Sequence, residues 1–217
     1  MQFVFTANPE DYTNRGSIVT PLKDRIGSQI LTHYPENIAI ARTITEQEAK
    51  LDEEQVNRVY IPELAKELLE QISFEARDSE YIDAKSGVSA RLSITAYENL
   101  LSAAERRALI NGEEYTRVRL SDFMGIIPSI TGKVELVYEG EQEGADKVAQ
   151  ILIGSAIKAL FPKYFPKIAK LEKEDEKNDY SALLEWFFTH SDFQLLDDAL
   201  DAEYTETLNS LSPLEDL

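Results

Sequence analysis

A mainly α protein that opens on two short strands is the fold this 217-residue sequence predicts. Three observations predict it. Apolar residues recur at i, i+3 and i+4 over 61–76, 97–108 and 145–160, the period of amphipathic helices. Two β-prone runs without that period, 2–7 and 29–34, lie near the start. Hydrophobic residues make up 43% and charged residues 29% of the chain, a balance that supports a packed core rather than a disordered chain.

Gln2-Phe3-Val4-Phe5-Thr6-Ala7 reads as a buried strand. It ends at Asn8-Pro9, because Pro9 cannot continue a central ladder. A chain that opens on such a strand without a lead-in reads as the C-terminal part of a larger fold. Thr20 as N-cap with Pro21 in the first helical position predicts one short helix that ends near Arg25. The run 29–34 is the second strand, closed by Pro35. From Asn37 to about Glu54 the sequence predicts one helix, with an uneven apolar stripe of Ile38, Ala41, Ile44 and Ala49.

Ile61, Leu64, Ala65, Leu68, Leu69, Ile72 and Ala76 mark a strongly amphipathic helix. The next, over 93–110, carries Tyr97, Leu100, Leu101, Ala104 and Ala108 on one face, with Gly112 placed to stop it. Arg106-Arg107, in its middle, reads as a solvated face. Ser121-Asp122-Phe123 begins a short helix expected to end before Pro128. Val134, Leu136 and Tyr138 alternate with Glu135 and Glu139 as one arm of a hairpin. Ala145, Val148, Ala149, Leu152, Ala156 and Leu160 form another helix, ended by Pro162 and Pro166. The charge run 167–177 reads as a solvated linker or helix face.

From Asn178 onward there are ten acids and no lysine or arginine, together with Trp186, Phe187, Phe188, Phe193 and Leu195-Leu196. One or two amphipathic helices are expected there, packed on the body or on a partner. The expected organisation is a strand remnant over 1–36, a linking helix and helical bundle over 37–131, and an acidic, mostly helical extension over 132–217.

Composition narrows the function. Acids outnumber bases 40 to 22, and the net charge of −18 repels phosphate backbones and anionic lipid, so no nucleic-acid partner is expected. The absence of cysteine excludes disulfides, thiolate metal sites and a cysteine nucleophile. His33 and His190 are too few for a histidine-rich metal centre. No run approaches the roughly 18 apolar residues of a membrane span, and no signal pattern precedes the first strand. A cytoplasmic protein that does not enter the membrane is the expectation.

Three positions could carry chemistry. Asn8 ends the first strand, where an α/β sheet presents its ligands, and its amide could orient a water or bond a terminal phosphate. The plainer reading is an Asn-Pro turn. Arg25, in Leu22-Lys23-Asp24-Arg25-Ile26, could reach across a subunit boundary to a transferring phosphoryl group, a role that suits a planar guanidinium. The plainer reading is a surface pair with Asp24, worth under about 1 kcal/mol. Arg91, in Gly87-Val88-Ser89-Ala90-Arg91, stands in the first turn of a helix, where the macrodipole disfavours a cation. A phosphate contact would account for it, and so would an exposed arginine after a capping loop. No G-x-x-x-x-G-K-[ST] loop exists, and no apolar run ends in an Asp-Glu pair. Ser/His/Asp catalysis has no G-x-S-x-G support either. The chain alone should therefore not hydrolyse ATP.

Taken in order, Phe3-Val4-Phe5-Thr6-Ala7-Asn8-Pro9-Glu10-Asp11, Thr20-Pro21-Leu22-Lys23-Asp24-Arg25 and Gly87-Val88-Ser89-Ala90-Arg91 resemble one family. They look like the second half of AAA+ ATPases of the magnesium-chelatase I-subunit and MoxR-like group, over about residues 1–131. The resemblance implies that Asn8 is sensor 1, Arg25 the arginine finger and Arg91 sensor 2 at the start of a lid helix. Arg15 is a further arginine near the implied subunit edge, without a motif of its own, and Ile26 stands where the family has Phe. The resemblance begins after the Walker A and B segments, so it implies the C-terminal part of a longer ATPase. In that intact protein ATP and magnesium would sit between subunits of a ring, and the motor would remodel a von Willebrand A-type protein partner. A different class of function, a non-catalytic helical interaction module built from the bundle and the acidic aromatic C-terminus, stands as the alternative.

Overall fold

The computed structural model describes residues 3–6, 24–84, 86–166 and 180–214. They fall into two units, Met1–Pro35 and Glu36–Leu217. In the first unit, residues 3–6 and 29–34 form no ladder, so the two strands expected there are not formed among the described residues. A strand needs a hydrogen-bonded neighbour, and these runs have none among the described residues. Their side chains accordingly lie open, with Val4 83% and Ile30 89% exposed. The helix expected after Thr20 falls largely outside the described residues, which resume in a turn at Asp24-Arg25.

The second unit is built of helices, in keeping with the mainly α class. Asn37 caps α1 (Ile38–Glu48) by accepting from the Ile40 N–H at 2.9 Å. The single helix expected to about Glu54 is broken at 49–52. There the Lys50 N–H donates to Glu98 Oε1 at 2.9 Å, and Asp52 caps a new helix, α2 (Glu53–Arg58), through the Glu54 N–H. A local cap thus outcompetes continuation of a weak stripe. A two-residue strand β1 (Val59–Tyr60) follows, then α3 (Glu63–Asp78) and α4 (Arg91–Asn111). Gly112 ends α4 in the left-handed region at φ 69°, as expected for a C-terminal glycine.

After α4, β2 (Thr116–Arg117) pairs in parallel with β1, Val59 opposite Thr116 and Tyr60 opposite Arg117. This pair is the two-stranded element of the fold, and it lies within the bundle rather than at the chain's opening. A 3-10 helix, Leu120–Ile126, runs directly into α5 (Ile127–Thr131). The 3-10 helix ends before Pro128 as expected, but Pro128 then opens the next helix. It sits in the first turn, where no N–H is needed. The hairpin arm expected at 134–138 reduces to a single antiparallel bridge between Ile82 and Leu136, after which α6 (Tyr138–Glu143) starts.

α7 (Ala145–Tyr164) passes through Pro162 and ends two residues beyond it. A proline forfeits its own N–H bond but not those of the residues after it. The Phe165 N–H still donates to the Phe161 carbonyl at 2.9 Å.

α3, α4 and α7 form the core with Phe123, Ile126 and Ile130 between them; Ile72, Leu100, Ile126, Ile130, Val148 and Ala156 are fully buried. The charged segment expected over 167–177 lies outside the described residues. Two further helices, α8 (Ser181–Thr189) and α9 (Asp201–Asn209), complete the described chain together with a 3-10 turn at Ser212–Leu214. No described helix is long and apolar enough to cross a membrane.

Candidate functional site

The loop that delivers Arg91 is pinned from two sides. The Asp83 N–H donates to the Glu135 carbonyl at 2.9 Å, and the Val137 N–H donates to the Tyr81 carbonyl at 3.1 Å. The Ser86 hydroxyl lies between the carboxylates of Asp83, at 3.1 Å, and Glu135. Gly87 then turns through a left-handed φ of 69°, which a residue with a Cβ adopts at a cost. Val88, 2% exposed, plugs into the core, and the Ser89 hydroxyl accepts from the Arg91 N–H at 3.2 Å. In Gly87-Val88-Ser89-Ala90-Arg91 the glycine thus makes the turn, the valine anchors it, the serine accepts the first helical N–H and the arginine is presented. The Arg91 side chain stands exposed on the first turn of the 21-residue helix α4.

The other two expected site residues lie in the first unit. Arg25 is exposed on the turn at 24–25, and Asn8, like Arg15, lies outside the described residues. An ATP–magnesium site needs cations for the phosphates and carboxylates or hydroxyls for the metal. Of the expected phosphate contacts, the described residues hold two exposed guanidinium groups, those of Arg25 and Arg91. Among the described residues there is no group of three His, Cys, Asp or Glu side chains that could hold a metal ion.

The sequence reading missed a polar centre at the far end of α4. Arg107 was expected on a solvated face, but it is 8% exposed. Its Nη2 donates to Asp122 Oδ2 at 2.8 Å and to the Arg117 carbonyl at 2.9 Å, and Nη1 donates to Thr116 Oγ1 at 2.8 Å. Asp122 Oδ2 also accepts the Arg119 N–H at 2.7 Å, which fixes the entry to the 3-10 helix. The signal was present: Arg107 stands on the stripe of Leu100, Ala104 and Ala108. Of the two arginines, only Arg106 is exposed. A groove of about 650 Å³ runs beside this centre, lined by Asn99, Arg106, Asn111, Met124 and Asp198 among others.

A second polar group was likewise missed, between α1, α3 and α4. Glu70 is 2% exposed, and burial pushes its carboxyl above its ordinary range, partly offset by hydrogen bonds from Thr45 and Ser93. Ser73 and Ser93 hydroxyls lie 2.6 Å apart beside it. This cluster is enclosed between the helices, out of reach of a ligand. Compared with family models, curated proteins and solved structures, the chain matches none of them.

Proposed function

We propose that this chain is the sensor, arginine-finger and lid part of a ring-forming AAA+ ATPase resembling the magnesium-chelatase I subunit, and that it couples ATP hydrolysis to remodelling of a partner protein. The observation that carries the reading is the opening of α4. A pinned loop, a left-handed glycine, a buried valine and a serine that accepts the Arg91 N–H present Arg91 outward from a packed bundle. That is what a lid needs if it is to sense a phosphate and move as one body. Arg91 would contact the nucleotide held by its own subunit, Arg25 would enter the neighbour's site, and Asn8 would orient the attacking water. The phosphate loop and the magnesium-binding carboxylates would come from a Walker-bearing core joined to this chain. A von Willebrand A-type protein is the partner class the resemblance implies.

Calorimetric titration with ATP and magnesium tests the proposal, on this chain and on a version extended upstream through a Walker-bearing core. The chain as it stands should give no heat of binding, and the extended version should bind and turn over. Tight ATP binding by the shorter chain, or none by the extended one, overturns the reading.

One observation favours the alternative of a non-catalytic interaction module. α8 has no buried residue, and it leaves Leu184 51%, Phe187 41% and Phe188 86% exposed. On that reading, nucleotide is irrelevant to the extended protein and replacement of Phe188 removes partner binding.

A further inference from the structure

The C-terminal segment is held to the bundle by polar groups rather than by a core. In 180–214, Leu211 alone is buried among the described residues. The joint is made instead around Arg119, whose residue is 4% exposed. Its Nη1 donates to two carbonyls of the segment, Asp197 at 3.0 Å and Ala199 at 2.9 Å. The guanidinium lies 4.0 Å above the Tyr204 ring, and Nη2 is 3.7 Å from Asp201 Oδ1. Around it, Asn111 Nδ2 donates to the Asp198 carbonyl at 2.8 Å, the Asp201 N–H donates to Glu113 Oε1 at 2.6 Å, and Arg117 Nε lies 3.3 Å from Asp201 Oδ2.

The joint is also incomplete. Arg119 Nε and Nη2, Asp201 Oδ1 and Glu113 Oε2 are buried without a hydrogen-bond partner. Nε and Nη2 form the fork that grips a carboxylate in two-point fashion, and here Asp201 stops just short of it. Unpaired buried groups weaken a contact. Charge complementarity nonetheless selects what sits there. Ten net negative charges of the chain's eighteen lie in its last 40 residues, whereas Arg106, Arg117 and Arg119 stand against the segment.

We propose that residues 193–214 are a releasable strap seated on a receptor for acidic peptides, and that an acidic segment of a partner protein displaces it. The strap supplies the template for that partner: main-chain carbonyls for Arg119 Nη1, then a carboxylate, then an aromatic ring three residues later, as in Asp201 and Tyr204. A partner whose carboxylate reaches the Nε–Nη2 fork binds more tightly than the strap. Release also removes the Asp197–Asp198 wall of the groove beside Arg106, opening that groove to the same partner.

A labelled peptide of sequence 193–214, added to the full chain and followed by fluorescence anisotropy, tests this. The native chain should bind it weakly, because its own strap competes. A chain with Asp201→Ala and Tyr204→Ala should bind at least about tenfold more tightly, since a strap removed from competition no longer reduces the competent fraction. Arg119→Met in that background should abolish the gain, and salt should weaken binding. No binding by the loosened chain, or equal binding after Arg119→Met, overturns the proposal. Should Arg119→Met unfold the bundle, hydrogen exchange on the native chain decides. Amides of 201–211 should exchange about a hundredfold or more faster than those of 96–108, as a separately opening unit does; equal protection overturns the strap.

Discussion

Arg107 and Asp122 meet as a buried two-point ion pair, with Nη2 2.8 Å from Oδ2 and Nε 3.3 Å from Oδ1. The pair joins the end of α4 to the 3-10 helix and, through Thr116 and the Arg117 carbonyl, to β2. Removing the arginine would leave the Asp122 carboxylate buried without its cation, the costly way to break such a pair. Arg107→Met should therefore lower the free energy of unfolding by about 3–5 kcal/mol in denaturant titration. Arg106→Met, one position along and exposed, should change it by less than about 0.5 kcal/mol. Equal effects at the two positions would refute the buried pair.

Glu70 predicts an unusual pH dependence. Burial holds its folded pKa above the unfolded value, so the protonated folded form is favoured. Stability from this group is full at low pH, falls as pH rises past the unfolded value of about 4.3, and levels off above the folded value. Glu46 and Glu67 run the opposite way. Hydrogen bonds from Lys66, and from Lys163 and Tyr164, lower them, and their stabilisation is lost on acidification. The difference between two proteins isolates Glu70. Glu70→Gln keeps acceptor and shape but does not titrate, so it should gain on the native protein as pH rises above the unfolded value and melt higher at neutral pH. Melting curves that stay parallel as pH rises would exclude a buried titrating carboxyl.

What was legible in the sequence was local periodicity. The stripes of α3, α4 and α7 and the stop at Gly112 needed no distant partner, and each forms close to where the spacing put it. The opening strands are not formed among the described residues for the converse reason, since β-propensity records a fit to neighbours, and none of the described residues pairs with them. Pro128 marked a helix end on paper, yet it sits in the first turn of α5, where its missing N–H has no partner to lose, while α7 ends at Tyr164, between Pro162 and Pro166 as expected. Glu70 and Arg119 were invisible as sites because their partners come from elsewhere in the chain, whereas the burial of Arg107 was legible in its place on the apolar stripe. The carbonyls on Arg119 stand 78 and 80 residues away. The Arg91 loop was the exception, for there motif, turn and serine contact are all local.

Gly140 sits in α6 directly beneath the loop that carries Arg91. A Cβ built on it would come 2.4 Å from the Tyr81 carbonyl oxygen and 3.2 Å from Leu136 Cβ. Glycine to alanine inside a helix ordinarily stabilises by about 0.5–1 kcal/mol. Here the backbone of 81 would have to move, and overpacking should reverse the sign, with a loss of about 1–3 kcal/mol. Thermal melting of Gly140→Ala reads the sign directly. A raised melting temperature would mean that α6 and the 79–83 turn do not pack as described.

Arg25 and Arg91 separate function from fold. Both side chains are exposed, so Arg25→Ala and Arg91→Ala should each leave unfolding within about 0.5 kcal/mol of the native chain. In the extended ATPase of the proposal their effects should be large and distinct. Arg25→Ala should reduce turnover by about 10³-fold or more, the scale of an arginine finger, while nucleotide binding in the same subunit persists. Arg91→Ala should weaken nucleotide binding and uncouple it from lid position. Mixing experiments sharpen the first expectation, because a finger acts in its neighbour's site. Subunits carrying Arg25→Ala should regain turnover when their own sites are completed by native neighbours. Turnover that follows the variant's own site, or that ignores Arg25 altogether, would remove it from the reaction.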